Sequence, residues 1–326
     1  MSNITGGFVA NTSPDAVQTA IDVMAAERYQ RTMQPNYLSA QDEMFFHSSG
    51  IDRLAFIYDE YSNVGEFEEI GEQEEVRRTD ARIGNQTTAR VVKYMKDIPI
   101  SWEAFKADQH GIREQIGKDV GDRARQTSDK KSILNTYGDA FAGSVSTTPD
   151  GQPLASNSHV TLTTSSGGGL TVDNLETGAL APDALWTAVT SLANQPAQDG
   201  DAGSYVFEGL VVPFLLYKTA KEVMNSALAA NSGENNLNIF DTDYGQVAIK
   251  ASIFLGSTYN GATNANTSYH LLSSSHQVTR KVFSELNTTL IEPQYSDTDS
   301  YELRARFAEV AFPMSWNGYV GSNGSA

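Results

Sequence analysis

The chain has 326 residues and a formal net charge of -17 at pH 7, so it is long enough for a large core and is strongly acidic. It contains no cysteine, which excludes disulfides, thiolate zinc sites, iron–sulfur clusters and cysteine nucleophiles. The acidic balance opposes tight binding to a nucleic-acid backbone, because the chain has no excess of Lys and Arg to displace the counterions of the phosphates.

The N-terminal sequence lacks the basic start and apolar run of a signal peptide, and no segment is apolar enough to span a membrane. We therefore expect a protein that is not exported by the usual route and has no membrane partner. The first predicted element is a helix over residues 14–31, which Ser13 can cap and Pro14 can begin. Its apolar residues recur at helical spacing: Val17, Ile21 and Met24.

Residues 61–100 are polar and charged, contain several glycines, and end in a β-prone stretch from Thr87 to Ile100. This pattern predicts a long two-stranded hairpin. Such a ribbon is marginally stable alone and exposes its strand edges, so we expect it to lie across an adjacent subunit. The residues predicted to make this inter-subunit contact are an acidic set on the outgoing leg and a basic set that follows it: Glu66, Glu68, Glu69, Glu72, Arg77, Arg78, Arg82 and Arg90.

The next predicted element is a long helix that Ser101 opens after Pro99 and that extends to Tyr137, a length of about 55 Å. Glycines within this helix disfavour it, so tertiary packing must hold it in place. The residues predicted to pack along its apolar stripe are Trp102, Phe105, Ile112, Ile116 and Val120.

The remaining sequence predicts a mixture of helices and strands, which places the fold in the α+β class. Residues 138–177 are rich in Gly, Ser, Thr and Asn and predict loops with short strands. Helices are predicted to begin at Pro182 and at Pro213, with a strand between them. Strands are predicted again in the C-terminal third, and in the last of these the apolar pattern changes phase at Ala308 and Glu309, which predicts a β-bulge.

A few polar segments have residues that could serve either a chemical or a structural role. Asp150 and His159 could form an acid–base or metal-binding pair, but Asp-Gly favours a turn with a hydrogen-bonded histidine. The acidic cluster of the hairpin lacks calcium-loop or glycosidase spacing, so a solvated charged face is favoured. Gly-x-Ser-x-Gly and phosphate-binding glycine motifs are also missing from the sequence. We expect no catalytic residue, no metal and no cofactor.

The order of these elements resembles the major capsid proteins of tailed bacteriophages, which have the Hong Kong 97-type capsid fold. Residues 134–141 (LNTYGDAF) and 150–160 (DGQPLASNSHV) resemble the segment after the long spine helix in the subgroup similar to the phage Mu major head subunit. Asp150, Gly151, Leu154 and His159 match that segment, whereas Ala155 stands where the subgroup has an aromatic residue. By this resemblance the domains are an N-terminal arm (1–35), a P-domain (36–60, 101–180 and 291–326) with the spine helix (101–137), an E-loop hairpin (61–100) and an A-domain (181–290).

The resemblance implies a structural subunit that self-assembles into the hexamers and pentamers of an icosahedral shell. It implies a virion location after assembly in the host cytoplasm, and enclosed double-stranded DNA that is not tightly bound. A scaffolding protein separate from this chain and a portal are the further partners that we expect. Two alternatives stay open: an encapsulin-type nanocompartment shell, and a hydrolase that uses carboxylates such as Glu68, Glu72 or Asp150.

Overall fold

The computed structural model describes residues 14–30, 36–62, 64, 69–72, 75, 83–106, 111–162, 169–226, 238–262, 264–293 and 300–325. Its helices are α1 (Pro14–Gln30), α2 (Trp102–Lys106), α3 (Ile112–Ile133), α4 (Pro182–Ala193), α5 (Tyr217–Asn225) and α6 (Ile239–Asp243). A π-helical turn (Leu134–Gly138) follows α3, and a 3₁₀ turn (Phe214–Leu216) precedes α5. None of the helices in these ranges is long and apolar enough to cross a membrane.

The strands form mixed sheets, in agreement with the predicted α+β class. They are β1 (His47–Gly50), β2 (Ala55–Tyr61), β3 (Ile83–Arg90), β4 (Val92–Ser101), β5 (His159–Val160), β6 (Thr171–Val172), β7 (Leu175–Glu176), β8 (Gly209–Pro213), β9 (Ala248–Ser252), β10 (Tyr269–Leu272), β11 (Val278–Ile291), β12 (Ser300–Pro313) and β13 (Tyr319–Ser322). One sheet has the order β1-β11-β12-β4, and a second has the order β7-β13-β10-β8-β9. The strand pairs β2-β3 and β5-β6 form two smaller sheets.

The hairpin differs from its predicted boundaries. Strand β2, which begins at Ala55, pairs antiparallel with β3, from Ala55 opposite Arg90 to Tyr61 opposite Ile83. The predicted return leg is divided at Val91, because β4 pairs with β12 along its whole length and belongs to the four-stranded sheet. The described strands of the hairpin are therefore β2 and β3.

The predicted single helix from Ser101 to Tyr137 is interrupted in the structure. Gly111 has a φ of 67°, a left-handed conformation that precedes the first turn of α3 and cannot continue a right-handed helix. Helix α3 spans 22 residues, or about 33 Å, before the π-helical turn. Sequence reasoning placed Gly111 inside the helix because the apolar spacing continues across it.

Two other glycines of α3 mark its contact with α1. A Cβ atom at Gly121 would lie 2.4 Å from the carbonyl oxygen of Ala25, whereas a Cβ at Gly117 would lie 3.5 Å from Ile21. The missing side chain at Gly121 therefore allows α1 and α3 to approach closely. Around this contact lies one apolar cluster, formed by Val17, Ile21, Ala25, Ile100, Phe105, Val120, Tyr301, Leu303 and Ala305.

A second apolar cluster lies where α4 and α5 pack against the five-stranded sheet. Helix α4 begins at Pro182, as predicted, and buries Leu185, Val189 and Leu192. Pro213 ends β8 and is followed by the 3₁₀ turn, so α5 begins four residues later than predicted, at Tyr217.

The predicted bulge lies opposite β12 rather than within it. Strand β12 keeps a continuous register with β4 through Ala308 and Glu309, where the pairing ends. Its pairing with β11 shifts between Val282 and Ser284, which lie opposite Glu309 and Ala308. The extra residue therefore belongs to β11, and the prediction chose the wrong strand of the pair.

Candidate functional site

The Asp150 segment forms a tight turn. Gly151 adopts a φ of 79°, and its backbone nitrogen donates to the carbonyl of Thr148 at 2.9 Å. The Asp150 carboxylate accepts hydrogen bonds from the Thr148 hydroxyl and, at 3.2 Å, from the backbone nitrogen of Gln152. This geometry is what an Asp-Gly pair favours, since Gly tolerates the left-handed conformation and Asp bonds its own turn.

His159 closes this turn from β5. It is fully buried, with Nδ1 2.7 Å from Asp150 Oδ2 and Nε2 3.3 Å from the carbonyl oxygen of Leu154. Its ring stacks on Trp316 with 5.3 Å between centroids. Burial alone would raise the pKa of Asp150, but the hydrogen bond and charge of His159 outweigh it and hold that pKa below its usual value. Both ring nitrogens face oxygen acceptors, so the pair acts as a structural clamp.

A second buried polar cluster surrounds Glu60 on β2, and sequence reasoning missed it. Glu60 is 1 % exposed, and its Oε1 accepts a hydrogen bond from Gln198 Nε2 at 2.7 Å. The same Gln198 nitrogen lies 2.8 Å from Asn317 Oδ1 and 3.3 Å from Ser315 Oγ. Burial, with a smaller contribution from the charge of Asp150, raises the pKa of Glu60 to about 7. The cluster joins β2, the segment between α4 and β8, and the segment between β12 and β13.

A buried ion pair links the N-terminal helix to the four-stranded sheet. Arg280 on β11 donates from Nε to Glu309 Oε2 on β12 at 2.8 Å, and both side chains are 3 % exposed. Arg280 Nη2 also donates to the Tyr29 hydroxyl of α1 at 3.1 Å. Such a pair fixes register and orientation and is weak evidence for a reactive site.

The residues predicted to make inter-subunit contacts are only partly within the described ranges. Glu69, Glu72 and Arg90 are exposed. The other predicted contact residues lie outside the described residues: Glu66, Glu68, Arg77, Arg78 and Arg82.

The hairpin also carries an exposed apolar surface that sequence reasoning did not identify. The described residues of this surface, on the hairpin and next to it, are Leu54 (67 % exposed), Ile57 (58 %), Tyr61 (48 %), Val64 (57 %) and Ile83 (74 %). Several large apolar side chains exposed on one ribbon make it a candidate interaction surface. The alternation of side chains along β2 could have predicted this surface, because Ile57 and Tyr61 lie on the face opposite Glu60.

The residues predicted to form the apolar stripe of the long helix are not all buried in the structure. Phe105 is 2 % exposed and stacks on Tyr301 with 3.8 Å between centroids, and Val120 is 6 % exposed. Ile116 is partly buried against the same cluster. Trp102, at 45 % exposure, does not share this buried stripe, and the side chain of Ile112 lies outside the described part.

A groove of about 720 Å³ lies between α3 and the strands β4, β11 and β12. Its lining includes apolar side chains such as Met95, Ile98 and Phe307, together with Lys93, Lys96 and Arg123. Within the described ranges, no group of three His, Asp or Glu side chains is arranged to hold a metal ion.

Comparison with known proteins gives one family match. The family model described as phage capsid protein matches residues 84–321, which is more than half of the chain. No curated protein matches significantly.

Several solved structures are similar to this chain at low identity. The capsid of a native GTA particle is 10 % identical with a TM-score of 0.55, over 90 % of this chain and 91 % of that one. A chain from Microbacterium phage Oxtober96 is 9 % identical with a TM-score of 0.51, over 90 % and 93 %. The virus-like particle from Pyrococcus furiosus is 9 % identical with a TM-score of 0.49, over 94 % and 98 %. The family match over residues 84–321, on a fold shared with phage and GTA capsids, shows that the chain belongs to the phage capsid protein family and is a major capsid protein of the icosahedral shell.

Proposed function

We propose that copies of this chain form the hexamers and pentamers of the shell through hairpins that each lie across a neighbouring subunit. The observation that carries this proposal is the exposed apolar surface of the hairpin, where Ile57 is 58 % and Ile83 is 74 % exposed in the single chain. A two-stranded ribbon gains stability when another surface covers its apolar side chains and strand edges.

The contact joins different surfaces of two identical subunits. Such heterologous contacts form a closed ring when repeating the rotation between neighbours returns to the first subunit. Further contacts then join the rings into a shell. The acidic residues of the outgoing leg and the basic residues that follow it supply complementary charge, which steers the register of the contact more than it adds affinity. The residues that we assign to this contact are Glu66, Glu68, Glu69, Glu72, Arg77, Arg78, Arg82 and Arg90.

The role is structural and non-enzymatic. Asp150, the carboxylate that a hydrolase would need beside His159, is already held by His159, Thr148 and Gln152. The net charge of -17 supports a shell that encloses double-stranded DNA without binding it tightly. A separate scaffolding protein, a portal and assembly in the host cytoplasm complete the proposal.

The absence of cysteine allows a direct test of the contact. An Ile83→Cys variant would carry a single thiol, and its rate of maleimide labelling would be measured in unassembled subunits and in purified shells. We expect labelling to slow by about tenfold or more on assembly, because burial of the side chain blocks the reagent. Equal rates in both forms would overturn the proposed role of the hairpin. If the variant assembles poorly alone, shells that mix it with the unmodified chain provide the same comparison.

A further inference from the structure

A polar contact around Glu60 joins the hairpin to the rest of the subunit. The pairing of β2 with β3 is irregular between Asp59 and Tyr61, so Glu60 lies at a bulge. Opposite it, a Cβ at Gly84 would lie 2.1 Å from the Leu162 side chain, which shows how closely β3 approaches the body there. The backbone nitrogen of Leu162 in turn donates to the carbonyl of Gln198, the residue whose side chain holds Glu60.

Glu60 has a poor environment for a negative charge. Its Oε1 accepts one hydrogen bond from Gln198, and its buried Oε2 has no hydrogen-bond partner. The neighbouring charge that acts on it is Asp150, an anion held by His159. Asn85 on β3 acts in the opposite direction, since its side chain hydrogen-bonds Glu60 and lowers the pKa, but burial and Asp150 outweigh it. Tyr58 lies nearby on the same strand, and Gln198 also contacts Ser315 and Asn317.

We propose that Glu60 is a proton-dependent latch at the base of the hairpin. With its proton, the carboxyl is neutral and holds β2 against Gln198, which lies between α4 and β8. Without the proton, the buried carboxylate repels Asp150 and keeps its Oε2 away from water, so the base of the hairpin opens more readily. All residues of the latch lie within one subunit, so the test of the latch does not depend on the proposed contact between subunits.

The pKa of Glu60 supports this geometry. Burial and Asp150 raise it from 4.5 to about 7 in the folded chain. A folded-state pKa above the unfolded value means that the native state binds the proton more tightly. The contribution of Glu60 to stability is therefore greatest below pH 4.5 and is progressively lost as the pH rises to about 7.

Hydrogen exchange of the full-length, unassembled chain tests the latch. Protection factors would be measured for peptides covering β2 and β3 at pH 5.5 and 8.5, since protection factors remove the intrinsic pH dependence of exchange. If local opening restores the ordinary pKa of Glu60, these factors fall by about 30-fold between the two pH values. The same peptides in the variant chains described below provide the reference for this decrease.

Two variants complete the experiment. Glu60→Gln keeps the shape and remains neutral, so its β2 and β3 protection changes by less than about threefold. Glu72→Gln, at an exposed carboxyl of the same hairpin, retains the wild-type behaviour. An unchanged pH dependence in Glu60→Gln would overturn the latch. So would a wild-type chain without the decrease, and this outcome needs no variant to fold.

Discussion

Replacement of Gly121 by alanine tests the close contact between α1 and α3. The added Cβ would lie 2.4 Å from the Ala25 carbonyl oxygen and 2.7 Å from the Cβ of Arg28, so the two helices must separate. Overpacking of this kind costs about 1–3 kcal/mol, whereas alanine in place of glycine gains up to about 1 kcal/mol of helix propensity. We therefore expect a net loss of about 1–2 kcal/mol in the free energy of unfolding.

Gly117, one turn earlier on α3, provides the matched control. A Cβ there would lie 3.5 Å from Ile21, an ordinary contact, so Gly117→Ala should keep its propensity gain of up to about 1 kcal/mol. The assay is urea denaturation of unassembled subunits, monitored by circular dichroism. If both variants are stabilised equally, the close contact at Gly121 is not a constraint and the reasoning is refuted.

Three further predictions concern the buried polar groups and use the same assay. Asp150→Asn removes the carboxylate that pairs with His159 and should lower the free energy of unfolding by about 1–3 kcal/mol at neutral pH. Because the pKa of Asp150 is lowered in the folded chain, this difference should vanish in strong acid, where the wild-type carboxylate takes up its proton. Glu60→Gln should raise the free energy of unfolding by up to about 3 kcal/mol at pH 8 and leave it unchanged near pH 4. An equal change in the free energy of unfolding at the two pH values would contradict the raised pKa of Glu60. Arg280→Met leaves Glu309 buried and unpaired and should cost about 3–5 kcal/mol, so a loss below about 1 kcal/mol would show that the pair is not buried as described.

Much of the fold follows from local patterns in the sequence. Pro14 and Pro182 begin helices because proline suits the first turn, and the apolar spacing after each identifies the buried face. The Asp150–Gly151 turn follows from the backbone preferences of the two residues. The order of such elements was enough to indicate the capsid family, and the match over residues 84–321 confirms that prediction.

Features that depend on contacts between residues distant in sequence could not be predicted from local patterns. Glu60 is one polar residue in a half-exposed strand, and only the approach of Gln198, 138 positions later, buries it. The bulge was assigned to β12 because a phase change in one strand does not reveal which partner carries the extra residue. Likewise, Gly121 looked like a cost to α3 until the structure placed Ala25 against it.

Electron microscopy of the purified protein, alongside its sedimentation profile and with and without a co-expressed scaffolding protein, tests the central claim most directly. Closed shells or ring-shaped capsomers are the result that we expect from a capsid subunit whose hairpin lies across its neighbour. A homogeneous monomer under every condition would contradict that account.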